Sequence, residues 1–331
     1  MFCECPHQNA QSQFRKEEHI MTKERKNRSQ KLATIAMAIG LLLCVPPISA
    51  SATDHSENGV SSTATVSATS TYAIHSSIPS GAYRINVNIN GRQVLQNRVF
   101  NTGGVTYVPM FAFADWVGVY QQYFSRMTNT ATLTGENLSI SARAGDLYII
   151  ANDRYFYTGE PVLLVGEEIY VPILPMVKAL NAHVEWKQSL GRFEVGSGDS
   201  RLLPNGSQVY NADQVYWLAR VISAEAKGEP MKGKIAVGNV VLNRVRSSAY
   251  PGTIYGVIFD KRYGIQFAPV ANGTIYNTPT VDSIIAAKIC LEGYSLSSDI
   301  LYFVNPQKAP NSWIANNRPY SFTIGNHAFF E

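Results

Sequence analysis

The sequence is short of cysteine, histidine and charge, and each shortage excludes a class of chemistry. Four cysteines occur in 331 residues. Cys3, Cys5 and Cys44 fall within the first 52 residues, which read as an export signal, so Cys290 alone remains afterwards. One thiol forms no intramolecular disulfide and no thiolate metal cluster. Only His183 lies between residues 81 and 195, and only His327 after residue 211. A single histidine makes neither a copper site nor the zinc site of a typical amidase, so no metal and no cofactor are expected. Charged residues are only 16% of the chain, and residues 1–52 carry seven Lys/Arg against four Asp/Glu. Their removal takes the net charge from +4 to about +1, which gives no electrostatic case for nucleic acid.

What is present is apolar and aromatic. Hydrophobic residues reach 45%, enough for sizeable cores, and a chain of this length reads as two domains. The 18 tyrosines suit sugar-lined clefts, and they suit half-buried strands equally well. A basic stretch, KERKNRSQK, precedes the apolar run LATIAMAIGLLLCVPPI and the small residues Ser49–Ala52. This order describes a secretory signal over residues 1–52, and places the protein outside the cell or in its envelope. Met21 sits just before the basic stretch, so residues 1–20 read as an upstream extension or a misassigned start. Residues 53–80, rich in Ser, Thr and Ala without apolar periodicity, read as a flexible linker.

Residues 81–195 have the texture of a β-rich stalk module with short helices. YRINVNINGRQV alternates as a strand should and turns at Asn90-Gly91, and a second such turn is expected at Asn152-Asp153. TYVPMFAFADWVGV (106–119) and IYVPILPMVKALNAHVEW (169–186) form a weak internal repeat. In each, a strand ends at Val-Pro and a short helix begins beside the proline. The pattern resembles the module named after the copper amine oxidase N-terminal domain. Residues 196–210, GSGDSRLLPNGSQVY, read as a second linker.

Residues 211–331 read as one compact, mostly helical domain. Asn211 caps a helix running through QVYWLARVISAEA. Val215, Leu218, Val221 and Ile222 share one face, and Glu225 follows the last two by four and three residues, so it continues the buried stripe. Burial and the negative end of the helix dipole both disfavour charge there, and both raise the pKa. A general acid for glycosidic cleavage needs a raised pKa, because it must hold a proton near neutral pH. The alternative is that Glu225 merely pairs with a basic side chain. Glu229, just before Pro230, is expected to cap the next turn or to face solvent. MKGKIAVGNVVLNRVRSS (231–248) is apolar nearly all round and reads as a central helix. Its Asn239 and Asn243 would tie helices together or donate to the carboxylate. Residues 250–279 read as a long aromatic loop in which Gln266 and Phe267 line a sugar subsite. After a third helix (281–293), Tyr302, Asn305, Trp313 and His327 supply hydroxyl, amide and aromatic groups of the kind that recognise N-acetylated sugars.

AEAKGEP, IAVGNVVLNRV, PGTIYGVIF, QFAPVANG, LYFVNP and IGNHAFF occur in that order. Together they resemble the SleB-type cell wall hydrolases, the spore cortex-lytic enzymes related to the CwlJ type, over about residues 213–331. The resemblance implies a lysozyme-like, largely helical domain, hence an α+β chain overall. It also implies peptidoglycan as substrate and lytic transglycosylase activity, with Glu225 the essential glutamate of E-A-x-G-E-P. It leaves open whether the substrate is spore cortex or vegetative wall, because a stalk module stands where SleB usually carries a peptidoglycan-binding repeat. An envelope protein restraining the lytic activity is a further expected partner. Three alternatives stand beside this reading: a muramidase-type hydrolase using a second carboxylate, an N-acetylmuramoyl-L-alanine amidase, and a catalytically silent wall-binding protein.

Overall fold

Alternating strands and tight turns in the first half of the described chain build three sheets, and periodic apolar faces in the second half build a helical domain. The computed structural model describes residues 73–331 apart from 119, 197, 199–202 and 263, so the expected export signal lies outside the described residues. The module opens with β1 (Ile74–His75), β2 (Tyr83–Arg84), β3 (Asn86–Ile89) and β4 (Arg92–Val94). It continues through β5 (Phe100–Thr102), β6 (Val105–Pro109) and helix α1 (Met110–Val117). An antiparallel meander follows: β7 (Gln121–Ser125), β8 (Thr130–Gly135), β9 (Leu138–Arg143), β10 (Tyr148–Ala151) and β11 (Arg154–Tyr157). Then come β12 (Leu163–Val165), β13 (Glu168–Pro172), helix α2 (Ile173–Ala179), β14 (His183–Lys187) and β15 (Arg192–Gly196).

The two expected hairpin turns form as read. Asn90 and Gly91, and likewise Asn152 and Asp153, have positive φ, the left-handed pair that matches the twist of the flanking strands. The internal repeat pairs with itself. β6 and β13 run antiparallel with Val108 opposite Val171, and each hands on to a short helix at its proline. Tyr107 and Tyr170 from the two copies both pack against Phe100, at ring separations of 5.6 and 5.2 Å.

The linker expected over 53–80 ends earlier than its composition suggests. Ala73 is fully buried with Phe100, Tyr107, Leu163 and Tyr170, and β1 pairs parallel with β12. Isolated small and β-branched residues carry no periodicity, so a two-residue edge strand gives no sequence signal.

The C-terminal domain comprises α3 (Gly206–Val209), α4 (Ala212–Ala226), α5 (Met231–Arg246), α6 (Ile254–Ile258), α7 (Ala268–Ala271) and α8 (Val281–Leu291). A small sheet completes it: β16 (Tyr302–Val304), then helix α9 (Trp313–Asn317), β17 (Tyr320–Ile324) and β18 (His327–Phe330), with β18 central and antiparallel to both neighbours. Two of the three long helices carry a side-chain cap: Asn211, as expected, accepts from Gln214 N–H, and Thr280 accepts from Ser283 N–H. α5 is buried on nearly all sides, as its apolar circumference implies. Gly238 is the point of closest approach to its neighbours, because a methyl there would lie 2.7 Å from Cys290 Sγ and 3.0 Å from Ile222 Cδ1. The segment 250–279 is not one loop. It holds α6, α7 and a 3-10 turn at Thr274–Tyr276, set by the Thr253 cap, Pro269 and the left-handed Gly273.

The second expected linker, 196–210, is partly built into the structure. Leu203 is buried, Asn152 donates its side-chain amide to the Leu203 carbonyl, and Asn205 closes a capping box on α3. Module and helical domain then meet at Glu292. Its carboxylate receives two parallel bonds from Arg154 of β11, at 2.9 and 2.7 Å, and a third from the Tyr210 hydroxyl at 2.7 Å. Tyr157 packs on Tyr294 with ring centroids 4.5 Å apart.

Candidate active site

Glu225 stands on the last turn of α4, one step beyond the fully buried Leu218, Val221 and Ile222. It is half-buried, and among the described residues it makes no hydrogen bond and no ion pair. Burial pushes its carboxyl up to about 7, against an opposing pull from the positive charge of Lys308. The pairing that would mark a purely structural glutamate is therefore missing among the described residues.

Glu229, four residues on, differs in every respect. It does not face solvent: it is 8% exposed and bound by the C-terminal hairpin. Asn326 donates its backbone N–H to Oε2 at 3.0 Å and its side-chain amide to Oε1 at 2.9 Å. Burial alone would raise its carboxyl, but the two Asn326 bonds, with His327 and Lys234 nearby, hold it below the usual glutamate value. Gly325 makes this lock possible, since its φ is +57° and a Cβ there would lie 1.9 Å from Glu229 Oε2. Lys234 adds a bond to the Glu229 carbonyl. Two glutamates of one motif thus have opposite electrostatics, one held without partners and one held ionised as an anchor.

The asparagines of α5 serve the fold. Asn239 donates to the Tyr294 carbonyl and accepts from Leu296 N–H, both at 2.9 Å. Asn243 donates to the Ser297 and Ile300 carbonyls, both at 3.0 Å. Together they staple the chain after α8 onto α5, and their amides are spent there. Of the two roles expected of them, these contacts carry the tying one and not donation to the carboxylate.

Phe267 is also corrected. It is 2% exposed and packs against Phe303 and the Arg244 guanidinium, so it is core and not a subsite wall. Gln266 is half-buried, and its amide turns back to the Gly264 carbonyl at 3.2 Å. Tyr302 is half-buried, with its hydroxyl 3.1 Å from that of Tyr250. Asn305 accepts from the N–H groups of Gln307 and Lys308, shaping the turn that carries Lys308. Trp313, 61% exposed, is open to a ligand face, with Arg318 across it. His327 is buried in β18 edge-on to Phe303, and burial holds its imidazole below the ordinary value.

Three residues important to this region are not singled out by the sequence, although Arg244 lies within IAVGNVVLNRV and Asn326 within IGNHAFF. Lys308 is the charge that reaches Glu225 and His327. Arg244 is buried among Tyr250, Phe267 and Tyr302, donating to the Leu301 carbonyl at 2.8 Å. Asn326 anchors Glu229. The Asn305-Pro306 and Gly325-Asn326 dipeptides are turn signals, the local hint of Lys308 and of Asn326 respectively. Among the described residues no three His, Cys, Asp or Glu side chains converge. His75 and His183 belong to different sheets, so the donor set does not fit a copper ion despite the module's family name.

Residues 228–330 match the protein family described as Cell Wall Hydrolase, and residues 88–195 match the Copper amine oxidase N-terminal domain. Glu225 lies just ahead of the first matched segment. The spore cortex-lytic enzyme of Bacillus cereus is 38% identical over 127 residues, 38% of this chain and 46% of that protein. Its Bacillus subtilis counterpart is 35% identical over 129 residues, 39% of this chain and 40% of that protein. The chain therefore spans less than half the length of these relatives. Among solved structures, the catalytic domain of a germination-specific lytic transglycosylase, SleB, from Bacillus anthracis is 36% identical. That match covers 39% of this chain and all of the domain, with a TM-score of 0.34. The chain joins two known domains: its C-terminal segment matches the cell wall hydrolase family, and the segment before it matches the copper amine oxidase N-terminal domain family.

Proposed function

We propose that the C-terminal domain cleaves the bond between N-acetylmuramic acid and N-acetylglucosamine in peptidoglycan, as a lytic transglycosylase with Glu225 as acid and then base. The observation that carries this reading is the state of Glu225, unpaired among the described residues and with its carboxyl pushed up to about 7. Such a carboxyl still holds its proton near neutrality and can give it to the glycosidic oxygen as the bond to the muramyl anomeric carbon breaks. The carboxylate left behind then takes the proton of the muramyl C6 hydroxyl while O6 bonds to that carbon, closing a 1,6-anhydro ring. The printed names of the relatives, spore cortex-lytic enzyme and lytic transglycosylase, agree with this chemistry.

The muramidase alternative needs a second free carboxylate across the bond. Glu229 is bound to Asn326, Asp260 to Arg262 and Glu292 to Arg154, which favours the single-acid route. A zinc amidase would need converging ligands, and His327 is enclosed by Phe303 and Phe329. The silent-binder alternative predicts a paired Glu225. Action on peptidoglycan places the protein in the wall or cortex, consistent with the export signal read at residues 1–52. An envelope protein that restrains it would have to cover the Glu225 end of α4.

Mass spectrometry of muropeptides released from purified sacculi and spore cortex tests the proposal. Wild-type protein is expected to release 1,6-anhydromuramyl products, and Glu225→Gln to release none. Reducing-end products would replace the transglycosylase with a hydrolase, and undiminished release by Glu225→Gln would remove Glu225 from the mechanism.

A further inference from the structure

Two exposed tyrosines lie against a buried tryptophan at the other end of α4 from Glu225. Trp217, Val221 and Glu225 follow one another at four-residue spacing, so they form one row along α4, with about 12 Å of axial rise between its ends. Three rings meet Trp217 edge-on: Tyr255 and Phe259 at α6, with centroids 5.2 and 5.1 Å away, and Tyr276 of the 3-10 turn at 6.3 Å. Tyr255 and Phe259 lie against each other at 4.5 Å. Ile254, Val257, Ile258 and Ile275 already fill the core beneath and are buried, yet Tyr255 is 42% and Tyr276 59% exposed. The turn that carries Tyr276 is fixed from α4. Arg220, buried and stacked on the Tyr216 ring at 4.3 Å, donates to the Tyr276 carbonyl at 2.6 Å and to the Asn277 carbonyl. Further on, the Thr280 N–H donates to Ser223 Oγ at 3.2 Å, so the chain after Tyr276 runs along α4 toward the turn that holds Glu225.

We propose that Tyr255 and Tyr276 form an aromatic platform that binds the N-acetylhexosamine rings of the glycan strand beyond the units held at Glu225. The inference rests on the glycosidic reading of Glu225 for its occupant. A glycan strand is a polymer, so the chain that meets the acid continues past it, and one row of α4 carries both the acid and the floor of the platform. A tyrosine ring offers a flat apolar face to the C–H groups of a sugar, and its hydroxyl offers a hydrogen bond to the ring substituents. Rings packed against Trp217, one of them on a turn tied by Arg220, lose little freedom when a sugar settles on them, so more of the contact appears as affinity. The contact is made away from the reacting bond and equally before and during cleavage. It therefore lowers KM for long strands and leaves kcat alone.

The test is calorimetric titration of the Glu225→Gln protein with peptide-free glycan strands, which reads binding without turnover, followed by KM and kcat in the active protein. Tyr255→Ala and Tyr276→Ala are each expected to raise Kd about five- to tenfold, the size of one aromatic contact. In the active protein the same changes should raise KM by a similar factor, with kcat changed less than about twofold. Tyr276→Phe keeps the ring and should stay within about twofold of the parent in Kd. Tyr276→Leu fills much of the same space without the flat face, and should bind as poorly as Tyr276→Ala. Both rings are surface groups, so all four variants should melt within about 2 °C of their parent. Unchanged Kd in both Ala variants, or a Leu variant that binds as tightly as the parent, would overturn the platform. So would a fall in kcat that tracks a fall in melting temperature, the mark of a merely structural role. Failure of the wild type to release sugar would overturn the glycosidic reading, and the platform would still be decided by the Kd values, which need no turnover.

Discussion

Glu225→Gln should stabilise the protein while abolishing its activity, and the stabilisation should depend on pH. The carboxyl of Glu225 is displaced upward from 4.5 to about 7 by burial. Below about pH 4.5 it is protonated in both the folded and the unfolded chain, so acid and amide are equivalent and the two proteins should melt together. As pH rises the unfolded chain ionises first, while the folded carboxyl keeps its proton until about 7. Wild type therefore loses stability through this window, and the neutral amide does not. At about 1.4 kcal/mol per pH unit the full difference is ~3 kcal/mol above pH 8. At roughly 2–4 °C per kcal/mol for a chain of this size, the variant should melt about 6–12 °C higher at pH 8.5 and within a degree or so at pH 4. Calorimetry of both proteins from pH 4 to 9 measures this directly. A melting difference that is constant with pH, or one that favours wild type at high pH, would refute a partnerless acid at this position.

Other changes probe the scaffold that holds the site. Glu292→Ala should destabilise by about 2–4 kcal/mol in urea, because it leaves Arg154 half-buried without its bidentate partner and strips the acceptor from Tyr210. The same variant should become sensitive to proteolysis between residues 196 and 210. Asn243→Ala removes two bonds to the Ser297 and Ile300 carbonyls and should lower stability by about 2–3 kcal/mol, with the kcat of the folded fraction unchanged. Gly325→Ala places a methyl against Glu229 Oε2 at a positive φ, and should cost at least ~1–2 kcal/mol through loss of the Asn326 contacts, read as a fall in melting temperature.

The sequence reveals what is local. Asn211 announces its helix because a cap is a three-residue event, and Asn90-Gly91 announces its hairpin for the same reason. Glu225 is legible because helical spacing alone puts it on the stripe of Val221 and Ile222. What joins distant segments is not legible. Glu229 looks like a solvent-facing cap until Asn326, 97 positions away, closes on it. The Arg154–Glu292 joint spans 138 positions, and without it residues 196–210 look like a tether. Phe267 shows the converse error, since an aromatic in an irregular segment reads equally well as cleft wall or core, and only Arg244 and Phe303 decide for core. The three-stranded sheet was hidden because β16 and β18 alternate weakly and are separated by α9.

The pH dependence of muropeptide release between pH 5 and 9, with Glu225→Gln as baseline, tests the central claim most directly. An acid that must be protonated with a pKa near 7 predicts a basic limb falling through about pH 7, and no release by the amide at any pH. Activity level from pH 6 to 9, or release by Glu225→Gln equal to wild type, would contradict the account.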